Sequence, residues 1–241
     1  MIKPLENILQ LIIDKKIFEN FPDLNIGVVV AKNINNNGKN DSILDMLKKE
    51  QERIKSNYSI EELESEPGIL SWRRAYSSFG AKPKKHKCSV ENLYRMVLNG
   101  FSIKHINNVV DIYNYISIKY MIPVGGDDID NIKGNITLKY AEGNEFFTPL
   151  NSKDIMNPKK GEIIYADDKD VLCRRWNWRE CEKSKMTENT KNICLVVEGL
   201  PPVSKNKLNY ITEELAYLIK KFCGGKVSNF ILNITNPETL I

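Results

Sequence analysis

The chain has 241 residues, of which 41% are hydrophobic and 27% are charged, a balance typical of a water-soluble globular protein rather than a disordered one. The formal net charge is only +4, from 35 basic and 31 acidic side chains, so any nucleic-acid surface must be a local basic patch. The sequence predicts no membrane span and no secretion signal. The five cysteines lack metal-finger spacing, which favours free thiols in a reducing cytoplasm.

The first half of the chain has mainly helical periodicity. Apolar residues recur every three or four positions in several segments, and helices are predicted over residues 1–18, 42–58, 89–99 and about 104–119. The β-branched run 24–31 predicts a buried strand, followed by an Asn- and Gly-rich loop. Pro67-Gly68 is expected to interrupt the chain, and Ser89 is expected to cap the helix that it begins.

The second half of the chain has mainly strand-like alternation. Strands are predicted over residues 136–140, parts of 145–148, 162–166, 171–175, 192–198 and 227–234, with one helix over 204–222. Helices grouped in the first half and hairpin-like strands in the second predict an α/β protein of the α+β kind. We expect helices packed on antiparallel or mixed sheets.

A basic and aromatic segment lies between residues 72 and 87. Trp72-Arg73-Arg74-Ala75-Tyr76 is followed by Lys82-Pro83-Lys84-Lys85-His86-Lys87. Binding of phosphates combined with stacking of bases needs these residue types together. A solvated basic loop is the alternative interpretation, although the nearby aromatic residues and Gly80 favour a defined conformation.

Three short polar residues share one side of the helix predicted after residue 104. Asn107, Asp111 and Asn114 stand at positions i, i+4 and i+7, while the opposite side is apolar. Such a stripe could line a ligand pocket. It could equally cap a neighbouring loop or form a satisfied buried network, and the spacing does not decide between them.

A glycine pair precedes a group of carboxylates at Gly125-Gly126-Asp127-Asp128. Paired glycines let backbone amides approach a ligand closely, and the carboxylates that follow could bind an amino group or a metal. The spacing of a calcium-binding loop is missing. A plain acidic turn is the alternative interpretation.

The run Arg174-Arg175-Trp176-Asn177-Trp178-Arg179 combines planar guanidinium donors with flat indole surfaces, which suits a phosphate or a base. Pairing with Asp167 and Asp168 in an exposed hairpin is the alternative. If the run is a strand, alternation separates its side chains into two faces. Arg175, Asn177 and Arg179 share one face, and Arg174, Trp176 and Trp178 share the other.

Several common catalytic motifs do not occur. The sequence has no nucleophile elbow, no zinc-protease motif, no phosphate-binding Walker loop and no dinucleotide fingerprint. Its two histidines are His86 and His105, which gives poor support to a histidine-activated nucleophile or a zinc site. We therefore expect no metal, no cofactor and no covalent protein nucleophile.

In combination and in order, the motifs resemble those of the B3/B4 domain, the tRNA-editing domain of the phenylalanyl-tRNA synthetase beta subunit. The closest likeness is to freestanding proteins that consist of this domain. The motifs that carry the resemblance are Arg73-Arg74-Ala75-Tyr76, Ser89-x-Glu91-x-Leu93, Asn107-x-x-Val110-Asp111-x-Tyr113-Asn114, Gly125-Gly126-Asp127, Glu145-Phe146, the run 174–179, and 190–198. The resemblance implies one B3/B4-type domain over residues 1–241, densest over 68–199, folded as a three-layer β/β/α sandwich.

The resemblance also implies a function. The synthetase domain removes tyrosine from mischarged tRNA, and freestanding relatives are thought to hydrolyse mischarged aminoacyl-tRNA in trans. This implies a cytoplasmic deacylase without synthetase activity, whose partners are the aminoacylated tRNA 3′ end and its amino acid, not DNA or a membrane. Candidate catalytic residues are Asn114, Gly125, Gly126, Asp127 and Glu145. Candidate substrate- or tRNA-binding residues are Arg73, Arg74, Tyr76, Lys85, Arg174, Arg175, Trp176, Asn177 and Arg179.

Two other functions stay open on the sequence. The chain could be a non-catalytic module that binds an amino acid or tRNA, or an enzyme that acts on a small amino-acid-like metabolite. The modest net charge of +4 fits the second somewhat better. The sequence predicts neither the amino acid, the tRNA nor the oligomeric state.

Overall fold

The computed structural model describes residues 9–241. The strands are β1 (Gln10–Ile13), β2 (Asn25–Lys32), β3 (Val124–Asp128), β4 (Ile136–Tyr140), β5 (Ile163–Ala166), β6 (Val171–Arg174), β7 (Arg179–Glu180), β8 (Ile193–Gly199), β9 (Lys226–Leu232) and β10 (Glu238–Leu240). The α-helices are α1 (Lys15–Asn20), α2 (Asp41–Asn57), α3 (Ile60–Leu63), α4 (Pro67–Ser78), α5 (Ser89–Leu98), α6 (Asn108–Tyr120) and α7 (Lys205–Cys223).

The strands form two sheets. One has six strands in the order β10-β1-β4-β5-β6-β7, and the other has four strands in the order β3-β8-β2-β9. All pairs are antiparallel except β1 with β4, which is parallel. In the second sheet the two central strands, β2 and β8, are buried along nearly their whole length, because both of their faces are covered.

Helices form the third layer on the outer face of the four-stranded sheet. Helix α7 contacts β2, β8 and β9, and α6 contacts α7, α2 and β3. Close approach of α7 to the sheet depends on Gly27, since a Cβ at that position would lie 1.8 Å from the Thr212 hydroxyl oxygen. Two sheets and a helical layer confirm the predicted α+β fold with its β/β/α layers.

The structure corrects four local predictions. Residues 10–13 form strand β1, and α1 begins only at Lys15, so a continuous helix over the first 18 residues is wrong; residues 1–8 lie outside the described part. Pro67 begins α4 rather than ending a segment, because proline is favoured in the first helical turn. Helix α5 is preceded by Cys88, and Ser89 does not cap it. Residues 145–148 contribute isolated bridges instead of a strand.

The alternative interpretation of the glycine pair as part of an acidic turn is wrong. Gly125 and Gly126 lie inside strand β3. A Cβ on Gly126 would lie 2.2 Å from the Cys194 carbonyl oxygen on β8, so this glycine permits close packing of neighbouring backbone. Within residues 9–241, no helix is both long enough and apolar enough to cross a membrane.

Candidate functional site

A small enclosed cavity lies between the two sheets, and we call it the inner chamber. Its volume is about 30 Å³. The first sheet contributes Tyr165 and Cys173, and the second contributes Asp127 and Glu198. The full lining is Leu11, Ser89, Val124, Gly125, Gly126, Asp127, Ile136, Tyr165, Cys173, Trp176, Asn177, Glu180, Cys194, Val196 and Glu198. The chamber is thus walled by both sheets and closed by the segment after β6.

Two wider clefts adjoin the inner chamber. The hairpin cleft has a volume of about 240 Å³ and is lined by Ser89, Asn92, Leu93, Tyr113, Asn114, Val124, Gly125, Asn177, Trp178, Arg179 and Glu180. The loop cleft has a volume of about 290 Å³ and is lined by Ile106, Val110, Tyr113, Gly126, Leu150, Asn151, Glu180, Cys181, Ser184, Lys185 and Met186. Glu180 lines all three spaces and therefore stands at their junction.

The two glycines of β3 differ in what their backbone can offer a ligand. Gly125 pairs with Val196 on β8, and the Glu198 N–H bonds to the Pro123 carbonyl. Because hydrogen bonds alternate along an antiparallel strand, the Gly125 N–H points into the ladder. The Gly126 N–H then points to the free edge of β3, the edge on which Asp128 donates to the Ser184 carbonyl. Of these two N–H groups, only that of Gly126 faces the clefts.

Three carboxylates surround the inner chamber without an arginine or lysine partner among the described residues. Burial raises the pKa of Glu198 to about 7. Burial, with added repulsion from Asp167 and Asp128, raises the pKa of Asp127 to about 6, although the Ser184 hydroxyl bonds to this carboxylate. Burial and the charges of Asp127 and Glu198 raise the pKa of Glu180. The chamber therefore favours bound protons or a cationic group.

Two thiols, those of Cys173 and Cys194, line the inner chamber, and burial raises the pKa of both. For Cys173, the neighbouring carboxylates Glu180 and Glu198 add to burial and raise the pKa well above the usual value. A neutral thiol is a weak nucleophile, so the arrangement suits attack by water better than attack by the protein. Among the described residues, no three His, Cys, Asp or Glu side chains are arranged to hold a metal ion.

A hydrogen-bonded chain holds the Glu198 carboxylate. The Tyr165 hydroxyl donates to Oε1 over 2.8 Å, and Asn177 Nδ2 donates to Oε2 over 2.7 Å. The Tyr76 hydroxyl in turn donates to Asn177 Oδ1 over 2.9 Å. The predicted residues Tyr76 and Asn177 thus contact each other beside the chamber, where they position a glutamate that the sequence did not single out.

The run 174–179 is not a strand with two faces. Residues 175–178 form the turn between β6 and β7, and Arg175 and Trp176 have left-handed φ angles of 48° and 66°. The predicted separation of alternate side chains is therefore wrong. Arg174 and Arg175 both bond to Glu162, at 2.8 and 2.9 Å, while Trp176 and Asn177 both line the inner chamber.

The predicted binding arginines fall into two groups. Arg174 and Arg175 are buried against Glu162, and Arg73 is held between Glu91 at 2.8 Å and Glu64 at 2.9 Å. These pairings give each of the three guanidinium groups a carboxylate counter-charge, although the buried Nη1 of Arg175 has no hydrogen-bond partner among the described residues. Arg179 is exposed and lines the hairpin cleft.

Two other predicted basic residues lie outside the chamber. Arg74 is exposed in a separate groove beside Phe21 and Pro202. Lys85 is exposed in the loop before α5. In that loop, His86 contacts the Trp178 ring edge-on, with centroids 4.6 Å apart. The basic loop therefore borders the hairpin cleft, whereas Arg74 does not.

Asn114 and Glu145, both candidate catalytic residues, lie in different places. Asn114 lines the hairpin cleft. Glu145 lines none of the three spaces, and its carboxylate accepts the backbone N–H groups of Glu142 and Gly143, both over 2.9 Å. These bonds, together with Lys139, outweigh partial burial and lower its pKa. Glu145 is thus a loop-capping residue placed outside the site.

The polar stripe of α6 is mostly structural. Asn107 caps the helix and bonds to the Met186 carbonyl, and Asp111 accepts from His105 over 2.5 Å. The sequence interpretation missed Glu180 and Glu198 as site residues. One signal was available for Glu198, which is the single charged residue in the otherwise apolar strand β8.

Comparison with known proteins agrees with this arrangement of motifs. A family model described as the B3/4 domain matches residues 71–224. The chain is 31% identical over 110 residues to the phenylalanine--tRNA ligase beta subunit of Fusobacterium nucleatum, covering 46% of this chain and 14% of that protein. It is 29% identical over 168 residues to that of Buchnera aphidicola, covering 58% and 20%.

One solved structure is also similar, an N-terminal fragment of the phenylalanyl-tRNA synthetase beta subunit from Pyrococcus horikoshii. The TM-score is 0.44 at 17% identity, covering 90% of this chain and 49% of that one. The chain spans about a fifth or less of the length of the two curated relatives. Because the family model covers more than half of the chain, the protein belongs to the B3/4 domain family.

Proposed function

We propose that the protein is an aminoacyl-tRNA deacylase that hydrolyses mischarged aminoacyl-tRNA in trans. The observation that carries the proposal is the meeting of two clefts at a small acidic chamber, with Glu180 at the junction. An ester that joins an amino acid to a ribose has two branches, so it needs two adjoining spaces around its reacting carbon. The relatives named as phenylalanine--tRNA ligase beta subunits support tRNA as the carrier.

The clefts differ in a way that assigns the two branches. The hairpin cleft carries Arg179 and borders the basic loop that contains Lys85, which suits the phosphates and terminal adenosine of tRNA. The loop cleft has apolar walls from Ile106, Val110 and Met186 and suits an amino-acid side chain. The ester carbonyl then lies near the free Gly126 N–H, a donor for the developing oxyanion.

The amino group of the substrate is assigned to the carboxylate Asp127. An ammonium group near this carboxylate would favour its ionised form, which burial otherwise opposes. Asn114 completes the polar wall of the hairpin cleft. Hydrolysis of an activated ester then requires positioning and a polarised carbonyl, without a covalent intermediate.

A panel of mischarged tRNAs tests the proposal directly. Release of amino acid from at least one member above the uncatalysed rate is the expected result. Hydrolysis of none of them would refute the deacylase function. If total tRNA is retained on a filter without hydrolysis, a binding module is the better interpretation; if tRNA is not retained, a small amino-acid-like metabolite is.

The matched variants are Glu180→Gln and Glu188→Gln. Glu180 stands at the junction of the clefts, whereas Glu188 is an exposed loop residue. Because both variants remove one carboxylate, loss of turnover in the first and not in the second locates the reaction at the junction. Equal turnover in both variants would place the reaction elsewhere.

A further inference from the structure

We propose that Glu198 is the general base of this site, and that the inner chamber holds the water molecule that it activates. The inference rests on the proposed deacylase function and assigns its proton acceptor. It arises from the position of one buried carboxylate, the size of the chamber and one buried donor that has no partner.

The Glu198 carboxylate can accept more hydrogen bonds than the protein donates to it. Its side chain is buried, yet it lines the inner chamber. Each carboxylate oxygen accepts one hydrogen bond, from Tyr165 and from Asn177. Because a carboxylate oxygen can accept two hydrogen bonds, each one can also accept a bond from water. The two protein donors fix the carboxylate without saturating it.

A second observation comes from Trp176. Its side chain is 0% exposed, it lines the inner chamber, and its Nε1 has no hydrogen-bond partner among the described residues. Nε1 also lies close enough to Glu198 to lower the pKa of that carboxyl group. An indole N–H can only donate. A water that accepts from Trp176 and donates to Glu198 satisfies both groups, and its second lone pair is free to attack.

The chamber matches this assignment in volume. About 30 Å³ is room for roughly one or two water molecules, and it is too small for an amino-acid side chain. The wider clefts take the two branches of the ester, as proposed above. Glu180 and Gly125 line both the chamber and the hairpin cleft, so water in the chamber lies beside the place assigned to the ester.

The protonation state suits a base at neutral pH. Burial raises the pKa of Glu198 to about 7, while the hydrogen bonds from Tyr165 and Asn177 and the nearby N–H of Trp176 limit the rise. A general base works best when its pKa lies near the working pH. The titratable groups that face Glu198 are Tyr76, Cys88, Tyr165, Cys173 and Glu180.

The step balances with water as the second reactant. The water oxygen forms a bond to the ester carbonyl carbon as one of its protons moves to the Glu198 carboxylate. The carbonyl electron pair moves to oxygen, facing the Gly126 N–H. When the intermediate collapses, the bond from carbon to the ribose oxygen breaks, and that oxygen takes the proton from Glu198. The products are the free amino acid and tRNA with its hydroxyl restored.

Glu198→Gln is the main test, measured as kcat/KM for deacylation between pH 5 and pH 9. A flip of the Asn177 amide and rotation of the Tyr76 hydroxyl let the new amide keep its hydrogen bonds, so we expect the variant to fold. Loss of a general base lowers the rate by roughly 100-fold or more and removes the rise in rate near pH 7. Glu188→Gln should behave as wild type.

The outcomes separate the two proposals. If the wild-type protein hydrolyses no mischarged tRNA, the proposed function fails. If the wild-type protein is active and Glu198→Gln is within about threefold of it with an unchanged pH profile, only the assignment of Glu198 fails. Loss of activity in Glu180→Gln with retention in Glu198→Gln would transfer the role to Glu180.

Tyr165→Phe is a second test that does not depend on the first variant folding. It removes a donor that lowers the pKa of Glu198, so the rise in rate should move to higher pH while the rate at pH 9 is largely retained. A purely structural role predicts a lower rate without this displacement. An undisplaced profile in an active, folded Tyr165→Phe protein would overturn the assignment.

Discussion

Two regions of this molecule bury carboxylates in opposite ways. In the ion-paired clusters, Glu162 contacts Arg174 and Arg175, and Glu91 contacts Arg73 and Arg95. In the inner chamber, the hydrogen-bond donors to Glu198 among residues 9–241 are uncharged. A buried carboxylate with two arginines is neutralised by the fold itself. A buried carboxylate without a cation lowers the free energy of unfolding, and no ion pair in the fold offsets this loss. This difference distinguishes the structural framework from the candidate site.

The same substitution in the two regions should act with opposite signs. Glu162→Gln leaves Arg174 and Arg175 buried without a counter-charge, since Glu162 is their shared partner. We expect it to lower the free energy of unfolding by roughly 3–5 kcal/mol. Urea denaturation at pH 8 measures this value. A loss below about 1 kcal/mol would mean that the cluster is not part of the framework.

Glu198→Gln should instead stabilise the protein at high pH. The pKa of Glu198 is about 7 in the folded state, against 4.5 for an unperturbed group, so the folded protein binds this proton more tightly. Its ionisation therefore destabilises the fold progressively between about pH 4.5 and pH 7, and fully above that range. Glutamine removes this cost, with an expected gain of about 3 kcal/mol at pH 8.

The pH dependence supplies the control for that variant. At pH 4, Glu198 is mostly protonated in both the folded and the unfolded protein, so the gain should fall to near zero. Paired urea denaturation of wild type and variant at pH 4 and pH 8 measures the difference. A gain that is equal at both pH values would contradict a buried, titrating Glu198.

We expect Glu91→Gln, in the second ion-paired cluster, to destabilise the protein less than Glu162→Gln does in the first. Glu91→Gln removes one carboxylate from Arg73 and Arg95, but both arginines also contact Glu64, at 2.9 and 2.5 Å. Because Glu64 stays as a counter-charge, we expect a loss of about 1–2 kcal/mol, measured by the same denaturation. A loss as large as that of Glu162→Gln would show that Glu64 contributes little.

The smallest effect on stability is expected for an exposed residue of the hairpin cleft. Arg179 is exposed, so Arg179→Ala should change the free energy of unfolding by less than about 0.5 kcal/mol. Its effect should be on tRNA instead. Filter binding across a range of salt concentrations should show weaker binding, with the slope against salt reduced by about 1. An unchanged slope would remove Arg179 from the tRNA surface.

The parts of the fold that follow from local periodicity could be predicted from the sequence. The β-branched run of β2 and the apolar stripe of α7 are visible in their own residues, and both elements form within about two residues of the expected ends. The alternative interpretation of Gly125-Gly126 as a turn arose because glycines are typical of turns. The structure uses Gly126 for the close approach of β8, which depends on residues far along the chain.

The site was less predictable for a related reason. Tyr76 and Asn177 were singled out for their chemistry, but their contact with each other spans 101 positions. Glu198 is held by a hydrogen bond from Tyr165, which is 33 positions away. No spacing in the sequence indicates that these two residues are in contact. The left-handed φ angles of Arg175 and Trp176 occur at residue types that rarely adopt them, so alternation was the wrong rule for that run.

The location of the loop cleft at the junction of the two sheets has a practical consequence for finding ligands. Glu180 belongs to the six-stranded sheet and Gly126 to the four-stranded sheet, and both line this cleft, so an occupant of the cleft touches both sheets and holds them together. Binding to the folded state alone raises the unfolding temperature as ligand concentration rises. A thermal-shift screen with non-hydrolysable aminoacyl-adenosine analogues would therefore rank amino acids by fit before any substrate tRNA is prepared.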